Sequence, residues 1–433
     1  MTDEQGPRAY GFDTLQIHAG ARPDPATGAR QTPIYQNTAY VFRDAEHAAA
    51  LFNLQEVGYI YSRLTNPTVS ALQERIATLE GGAGAVCTGS GHAAQIMALF
   101  PLMSPGDDVV VSNRLYGGTV TQFSQTFKRF GWKAKFVDMD KPGEVARACG
   151  KRTKAIFCES ICNPGGYVTD LPKIAAVAEK KGLPLIVDNT SATPFLCKPI
   201  EMGATLVVHS TTKYLSGSGQ AMGGAIVDSG AFDWSASGRY PSLSEPEPAY
   251  HGLKFHETFG PLAFTFHSIA IGLRDLGMTQ APMNAFLTLL GIETLSLRMA
   301  KHVENAKKVA EWLENDPRVE SVSYAGLKSS PYYRRARKIY PKGAGGLFTF
   351  AVKGGYEACV KLVDSVEIFS HVANLGDTRS LLIHSASTTH RQLTPEQQEA
   401  AGAGPNRVRM SIGIEDADDL IADLDQALAR ATA

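Results

Sequence analysis

Cysteine is scarce in this chain, with six in 433 residues. The closest pair, Cys158 and Cys162, has no second Cys or His pair at zinc-site spacing. A disulfide-stapled fold is therefore excluded, and reduced, cytoplasmic surroundings are expected. An excess of charge of either sign is missing too. Lys plus Arg total 42, Asp plus Glu total 43, and the net charge is −1. A broad basic field for nucleic acid is excluded, although a local cationic patch is not. Long apolar runs are also absent. Stretches such as Ala93 to Met103 fall well short of the roughly 20 residues that cross a bilayer, so no membrane partner is expected. The first residues, Met1-Thr2-Asp3-Glu4-Gln5, are acidic and polar, without the basic and apolar regions of a signal peptide. Internal repeats and low-complexity tracts are not found.

What is present is material for a large core. Hydrophobic residues make up 44% and charged residues 20%, which rules against disorder. At roughly 150 residues per domain the length allows about three domains, or two larger ones. Residues 1–62 are rich in Gly, Pro and polar groups, with one helical stretch around Asp44 to Leu54, and read as an arm that packs on something else. From Pro67 the pattern changes. Val69, Leu72, Ile76 and Leu79 repeat at helical spacing. Short apolar runs then alternate with helical stretches: 85–87, 109–111, 134–137, 155–158, 185–187, 206–208 and 224–227. Runs that are apolar on both faces and separated by helices predict a buried, mostly parallel sheet, with chemistry at its carboxyl edge. Residues 63–284 are thus read as one large α/β domain. Ser229 to Phe259, rich in Gly, Pro, Ser and aromatics, reads as a long functional or interfacial loop. Ala285 to Glu314 predicts one long helix ending at Asn315-Asp316-Pro317. Strands at 319–324, 346–352, 381–384 and 408–412 and a last helix at 416–430 complete a smaller α/β domain over 285–433.

The strongest chemical cluster is Val207-Val208-His209-Ser210-Thr211-Thr212-Lys213-Tyr214. An apolar strand runs into hydroxyls and a lysine. Burial lowers a lysine's pKa and frees its amine as a nucleophile, and hydroxyls nearby suit a phosphate. Asp188 ends another apolar strand 25 residues earlier, one strand–helix–strand step away. An acid there suits the ring nitrogen of pyridoxal phosphate, with the lysine as its covalent anchor. Taken singly, Lys213 reads as a surface lysine and Asp188 as a helix cap; their company argues otherwise. Gly89-Ser90-Gly91-His92-Ala93-Ala94 opens a helix after a strand. It matches a dinucleotide fingerprint nominally, which leaves an NAD-dependent oxidoreductase as an alternative, but such a turn binds any phosphate. Tyr116 follows a strand end and could stack on a flat ring. Tyr61 and Arg63 could donate to phosphate, and Arg409 could hold an α-carboxylate. His251, His256, His384 and His390 do not form a metal set and read as packing or polar contacts.

Six motifs, in order along nearly the whole chain, resemble the Cys/Met-metabolism family of pyridoxal phosphate enzymes. They are Tyr61-Ser62-Arg63 with Asn66-Pro67-Thr68, Ser90-Gly91-His92-Ala93-Ala94, Leu115-Tyr116-Gly117-Gly118-Thr119, Glu159-Ser160 with Asn163-Pro164, Asp188-Asn189-Thr190 and Ser210-Thr211-Thr212-Lys213-Tyr214. Within the family, Gly376 to Leu381, His384 to His390 and the loop around Glu245 to Leu253 look most like the sulfhydrylases that act on O-acetylhomoserine. The resemblance implies fold type I, a large sheet domain followed by a smaller α/β domain. It implies pyridoxal 5'-phosphate held covalently by Lys213, with Asp188 on the ring nitrogen and Tyr116 stacked on the ring and assisting proton transfer. It also implies phosphate binding by Gly91, His92, Ser210 and Thr212, and by Tyr61 and Arg63 of a neighbouring subunit. Asn163, Ser380 and Arg409 would orient cofactor and substrate. The implied assembly is a homotetramer with shared sites. The implied reaction is γ-replacement in methionine biosynthesis: O-acetyl-L-homoserine with sulfide or methanethiol gives homocysteine or methionine and acetate. Cystathionine γ-synthase or lyase and methionine γ-lyase are the alternatives within the family. A non-catalytic binding module is a further one outside it. Two departures stand out. His92 sits where many relatives have Met, and Gly118 replaces the Cys of methionine-degrading lyases, which argues against a γ-lyase.

Overall fold

The computed structural model describes residues 10–433. The first nine residues of the expected arm lie outside them. The arm carries two short helices, Phe12–His18 and Ala45–Phe52, and only an isolated bridge between Ala39 and Tyr61.

Seven strands form the first sheet: β1 (Gly84–Thr88), β2 (Asp108–Ser112), β3 (Lys133–Val137), β4 (Thr153–Glu159), β5 (Leu185–Asp188), β6 (Leu206–His209) and β7 (Gly224–Asp228). Their order is β1-β7-β6-β5-β4-β2-β3. Only β7 runs against the rest, so β1, β2, β4, β5 and β6 all present their carboxyl ends to one edge. The strand runs expected from sequence are all present.

Side chains alternate between two cores, as the two-residue period of a strand requires. Val110, Ile156, Cys158, Leu185, Val187 and Val207 face the core shared with the helix Pro67–Glu80 and the second sheet. Val109, Val111, Phe157, Ile186, Leu206 and Val208 face the other way. Residues 229–259 cover that second face. They fold into short helical pieces and sink Trp234, Tyr240, Leu243 and Phe255 into it. Burying side chains of this size contributes on the order of 1.5–3 kcal/mol each. None of these residues lines the cavity at the carboxyl edge of the first sheet.

The second sheet has five strands, β8 (Val319–Ser323), β9 (Leu347–Val352), β10 (Ser370–His371), β11 (Leu381–Ile383) and β12 (Arg407–Ser411), ordered β10-β11-β12-β9-β8. The two-residue β10 is too short to leave a sequence signal. The single helix expected over 285–314 is two helices, Pro282–Ile292 and Leu295–Asn315. Arg298 accounts for the break. Its guanidinium donates to the Gly291 carbonyl at 2.6 Å and to Thr294 Oγ1 at 3.2 Å, while another nitrogen reaches the Tyr214 carbonyl at 2.8 Å. The side chain thus satisfies a carbonyl that a continuous helix would bond internally, and ties the break to the segment after Lys213. Residue 284 lies within the first of these helices.

Candidate active site

A cavity of about 260 Å³ opens at the carboxyl edge of the first sheet. Each parallel strand around it delivers a group. After β1 the helix Gly91–Leu99 begins, N-capped by Ser90, whose side chain accepts the Ala93 N–H at 3.1 Å. The Gly91 and His92 N–H groups have no acceptor within the helix and lie at its positive end. Gly91 is required here by close approach, since a Cβ on it would stand 2.7 Å from the Ser210 Cβ. The helix start and the segment after β6 are thereby pressed together, with Ser210 and Thr212 also lining the cavity. Thr212 Oγ1 bonds the Gly223 backbone, accepting at 3.0 Å.

Asp188 ends β5. Its oxygens accept from two neutral donors, the Thr190 N–H at 3.0 Å and Gln95 Nε2 at 3.3 Å. Lys213 follows β6 and donates through Nζ to Asn374 Oδ1. Burial, with the Arg409 charge nearby, lowers its pKa to about 8. Tyr116 follows β2. Its ring stacks on His92, with centroids 6.0 Å apart and planes 25° apart. Gly118 makes that stack possible, because a Cβ there would come within 2.6 Å of Tyr116 Cε1 and 3.0 Å of His92 Cε1. Burial holds the His92 imidazole below its ordinary pKa.

Arg409 arrives from β12 of the second sheet and is buried. Its guanidinium donates to Asn163 Oδ1 at 3.2 Å and to the Asn374 carbonyl at 2.5 Å, and its Nε has no partner. Burial brings its pKa down to about 10, so it remains charged at neutral pH. No carboxylate of the chain meets this cation among the described residues. A desolvated, partly unpaired guanidinium calls for an anion.

Nine of the expected site residues therefore line one cavity: Gly91, His92, Tyr116, Asn163, Asp188, Ser210, Thr212, Lys213 and Arg409. Three do not. The Ser380 hydroxyl donates to Glu415 Oε2 at 2.9 Å and accepts the Gly413 N–H at 2.8 Å, so its side chain is committed elsewhere. Tyr61 is exposed, with Arg63 over its ring at 5.6 Å and donating to the Arg274 carbonyl. Sequence reasoning missed Gln95, Glu159 and Asn374 as lining residues. Glu159 ends a strand as Asp188 does, a signal that could have been used. Gln95 and Asn374 carry none.

The donor set fits pyridoxal phosphate. Helix-end amides and hydroxyls form a cradle that a Cβ on Gly91 would fill. An aromatic face, an acid without a cation and a depressed lysine complete it.

Comparison with known proteins agrees. A family profile described as Cys/Met metabolism PLP-dependent enzyme matches residues 13–429. O-acetyl-L-homoserine sulfhydrylase 1 of Thermus thermophilus is 49% identical over 96% of this chain and 100% of its own. Homocysteine synthase of Schizosaccharomyces pombe is 48% identical over 96% of this chain and 98% of its own. A crystal structure described as an O-acetylhomoserine (thiol)-lyase of Campylobacter jejuni carries a pyridoxyl-lysine monophosphate. It superposes with a TM-score of 0.94 at 44% identity, over 97% of this chain and 100% of that one.

Proposed function

The chain belongs to the Cys/Met metabolism PLP-dependent enzymes, and from that premise we propose that it converts O-acetyl-L-homoserine and sulfide to L-homocysteine and acetate. The observation that carries this reading is the buried Arg409 facing the same cavity as a lysine of pKa about 8. The guanidinium suits an amino-acid carboxylate, and the amine beside it suits a nucleophile; Asn374 takes a hydrogen bond from each. Bound pyridoxal phosphate supplies an electron sink for negative charge developing beside the substrate's amino group.

The residues divide the remaining work. The Gly91 and His92 amides with Ser210 and Thr212 bind the phosphate, Asp188 holds a proton at the ring nitrogen, and Tyr116 covers the ring. Arg409 and Asn163 orient the carboxylate. Lys213 Nζ anchors the cofactor and, once released, takes the α-proton, for which an amine poised near neutrality is suited. It then helps to take a β-proton, so that acetate can depart from Cγ; sulfide adds at Cγ, and return of protons to Cβ and Cα gives homocysteine. The division of the chain into an arm over 1–62, a cofactor domain over 63–284 and a smaller domain over 285–433 belongs to this reading. So does assembly into at least a dimer, with Tyr61 and Arg63 directed at the partner's phosphate.

Purified, cofactor-loaded protein should yield homocysteine from O-acetyl-L-homoserine and sulfide, seen by mass spectrometry. Absence of product overturns the reading, and a faster reaction with cysteine as co-substrate moves it to the γ-synthases.

A further inference from the structure

Strands β4 and β5 end side by side, each on an acid, with Glu159 opposite Asp188 in register. Their surroundings differ. Asp188 lines the cavity and accepts from a side-chain amide and one backbone N–H. Glu159 is 5% exposed and spends both oxygens on the backbone. Oε1 accepts the Tyr116 N–H and Oε2 accepts the Asn163 N–H, each at 2.8 Å. Burial, with the Asp188 charge beside it, pushes this carboxyl up, while the two N–H groups it accepts favour its charged form. A buried acid with no cation is expensive, and an apolar residue would end the strand more cheaply. What the acid does in return is visible in what it touches. One N–H belongs to the loop after β2, which carries the Tyr116 ring. The other belongs to the loop after β4, which carries Asn163, whose Oδ1 accepts from Arg409.

We propose that Glu159 is a positioning residue: its single carboxylate spaces the Tyr116 loop from the Asn163 loop and so sets the ring against the carboxylate-holding pair Asn163–Arg409. The inference rests on the cofactor and substrate reading given above. Glutamine at this position has the right size but only one accepting atom, so one of the two N–H groups is left buried and unpaired. Aspartate keeps both oxygens on a shorter stem.

The test compares wild type with Glu159→Gln and Glu159→Asp. Pyridoxal phosphate affinity of the cofactor-free protein, visible circular dichroism at full loading, KM and kcat for O-acetyl-L-homoserine, and melting temperature are measured. The Gln variant is expected to keep the visible absorption of the cofactor held by Lys213, to show an altered dichroic band, to lose about tenfold in cofactor affinity and to raise KM about tenfold, the scale of one buried hydrogen bond. The Asp variant should fall between, and it carries the comparison if the Gln chain does not fold. Wild-type dichroism, affinity and KM with only a lower melting temperature overturn the proposal. Should wild type itself make no homocysteine, the functional reading fails, while dichroism and cofactor affinity still decide the role of Glu159.

Discussion

Lys213 shows how a residue acquires chemistry from its place. An exposed lysine is an ammonium at neutral pH. Here burial disfavours the charged form and Arg409 repels it, so both effects favour the neutral amine and bring the pKa to about 8. Reactivity should therefore climb with pH and level off above about 8. In the cofactor-free protein, reductive trapping of a small aldehyde at Lys213, followed by peptide mass spectrometry, should rise roughly tenfold per pH unit below that value. A midpoint near the ordinary lysine value of 10.5 would contradict the burial argument. At this scale much of the site was legible, because Lys213, Asp188, Tyr116 and Gly91 each follow an apolar strand or open a helix. Asn374 was not. Its side chain receives Lys213 and its carbonyl receives Arg409 across distances of chain that no local pattern records. Ser380 errs in the opposite sense, since its motif says nothing of Glu415, which takes its hydroxyl.

Elements were read well where a period governs them and poorly where a tertiary contact intervenes. The seven strands of the first sheet follow from their apolar runs. The break at residues 293–294 does not, because the apolar spacing continues through it and only Arg298 explains it. The aromatic-rich segment 229–259 read as a functional or interfacial loop on sequence grounds; its buried aromatics cover one face of the first sheet. A second tertiary device joins elements of both sheets. Asp140, beyond β3, accepts from Arg114 and Arg335 and from Tyr332 at 2.8 Å. Tyr332 and Arg335 stand at the helix Tyr333–Ile339, on the path to β9. Burial opposes the Asp140 charge, yet the hydrogen bonds from Arg335, Arg114 and Tyr332 outweigh it and hold the carboxyl below its ordinary range. Replacing Asp140 with Ala removes the carboxylate that two guanidinium groups share, leaving Arg114 to Asp138 at 3.5 Å and Arg335 to the Val168 carbonyl at 2.8 Å, and should destabilise the fold by on the order of 1–3 kcal/mol. Thermal melting of Asp140→Ala against wild type measures this, and an unchanged midpoint would show the cluster to be dispensable.

At the scale of the whole molecule, a few large apolar side chains lie bare. Val41 and Val57 in the arm are 98% and 82% exposed, and Leu297 is 72% exposed. Tyr61 near the end of the arm and Arg63 just beyond it lie outside the chain's own cavity. If each site borrows them from a neighbour, Arg63→Ala and Lys213→Ala chains should both be inactive alone. Refolded together in equal amounts they should recover about a quarter of wild-type activity, because half of the dimers are mixed and each has one intact site. No recovery on mixing would place Arg63 in its own subunit's function. As for passage through a lipid bilayer, no helix among the described residues is long and apolar enough to cross a membrane.

The sequence by itself determined the alternating α/β order, the edge of the sheet where chemistry collects, and most of the groups that stand there. These depend on short-range patterns: apolar runs, helix starts and strand ends within a few residues of a reactive side chain. Only the tertiary structure decided which polar atoms are free. It spent Ser380 on Glu415, joined Lys213 to Arg409 through Asn374, and bound two site loops to Glu159. Hydrogen bonds between residues far apart in the chain satisfy or strand a buried group, and no local period encodes them.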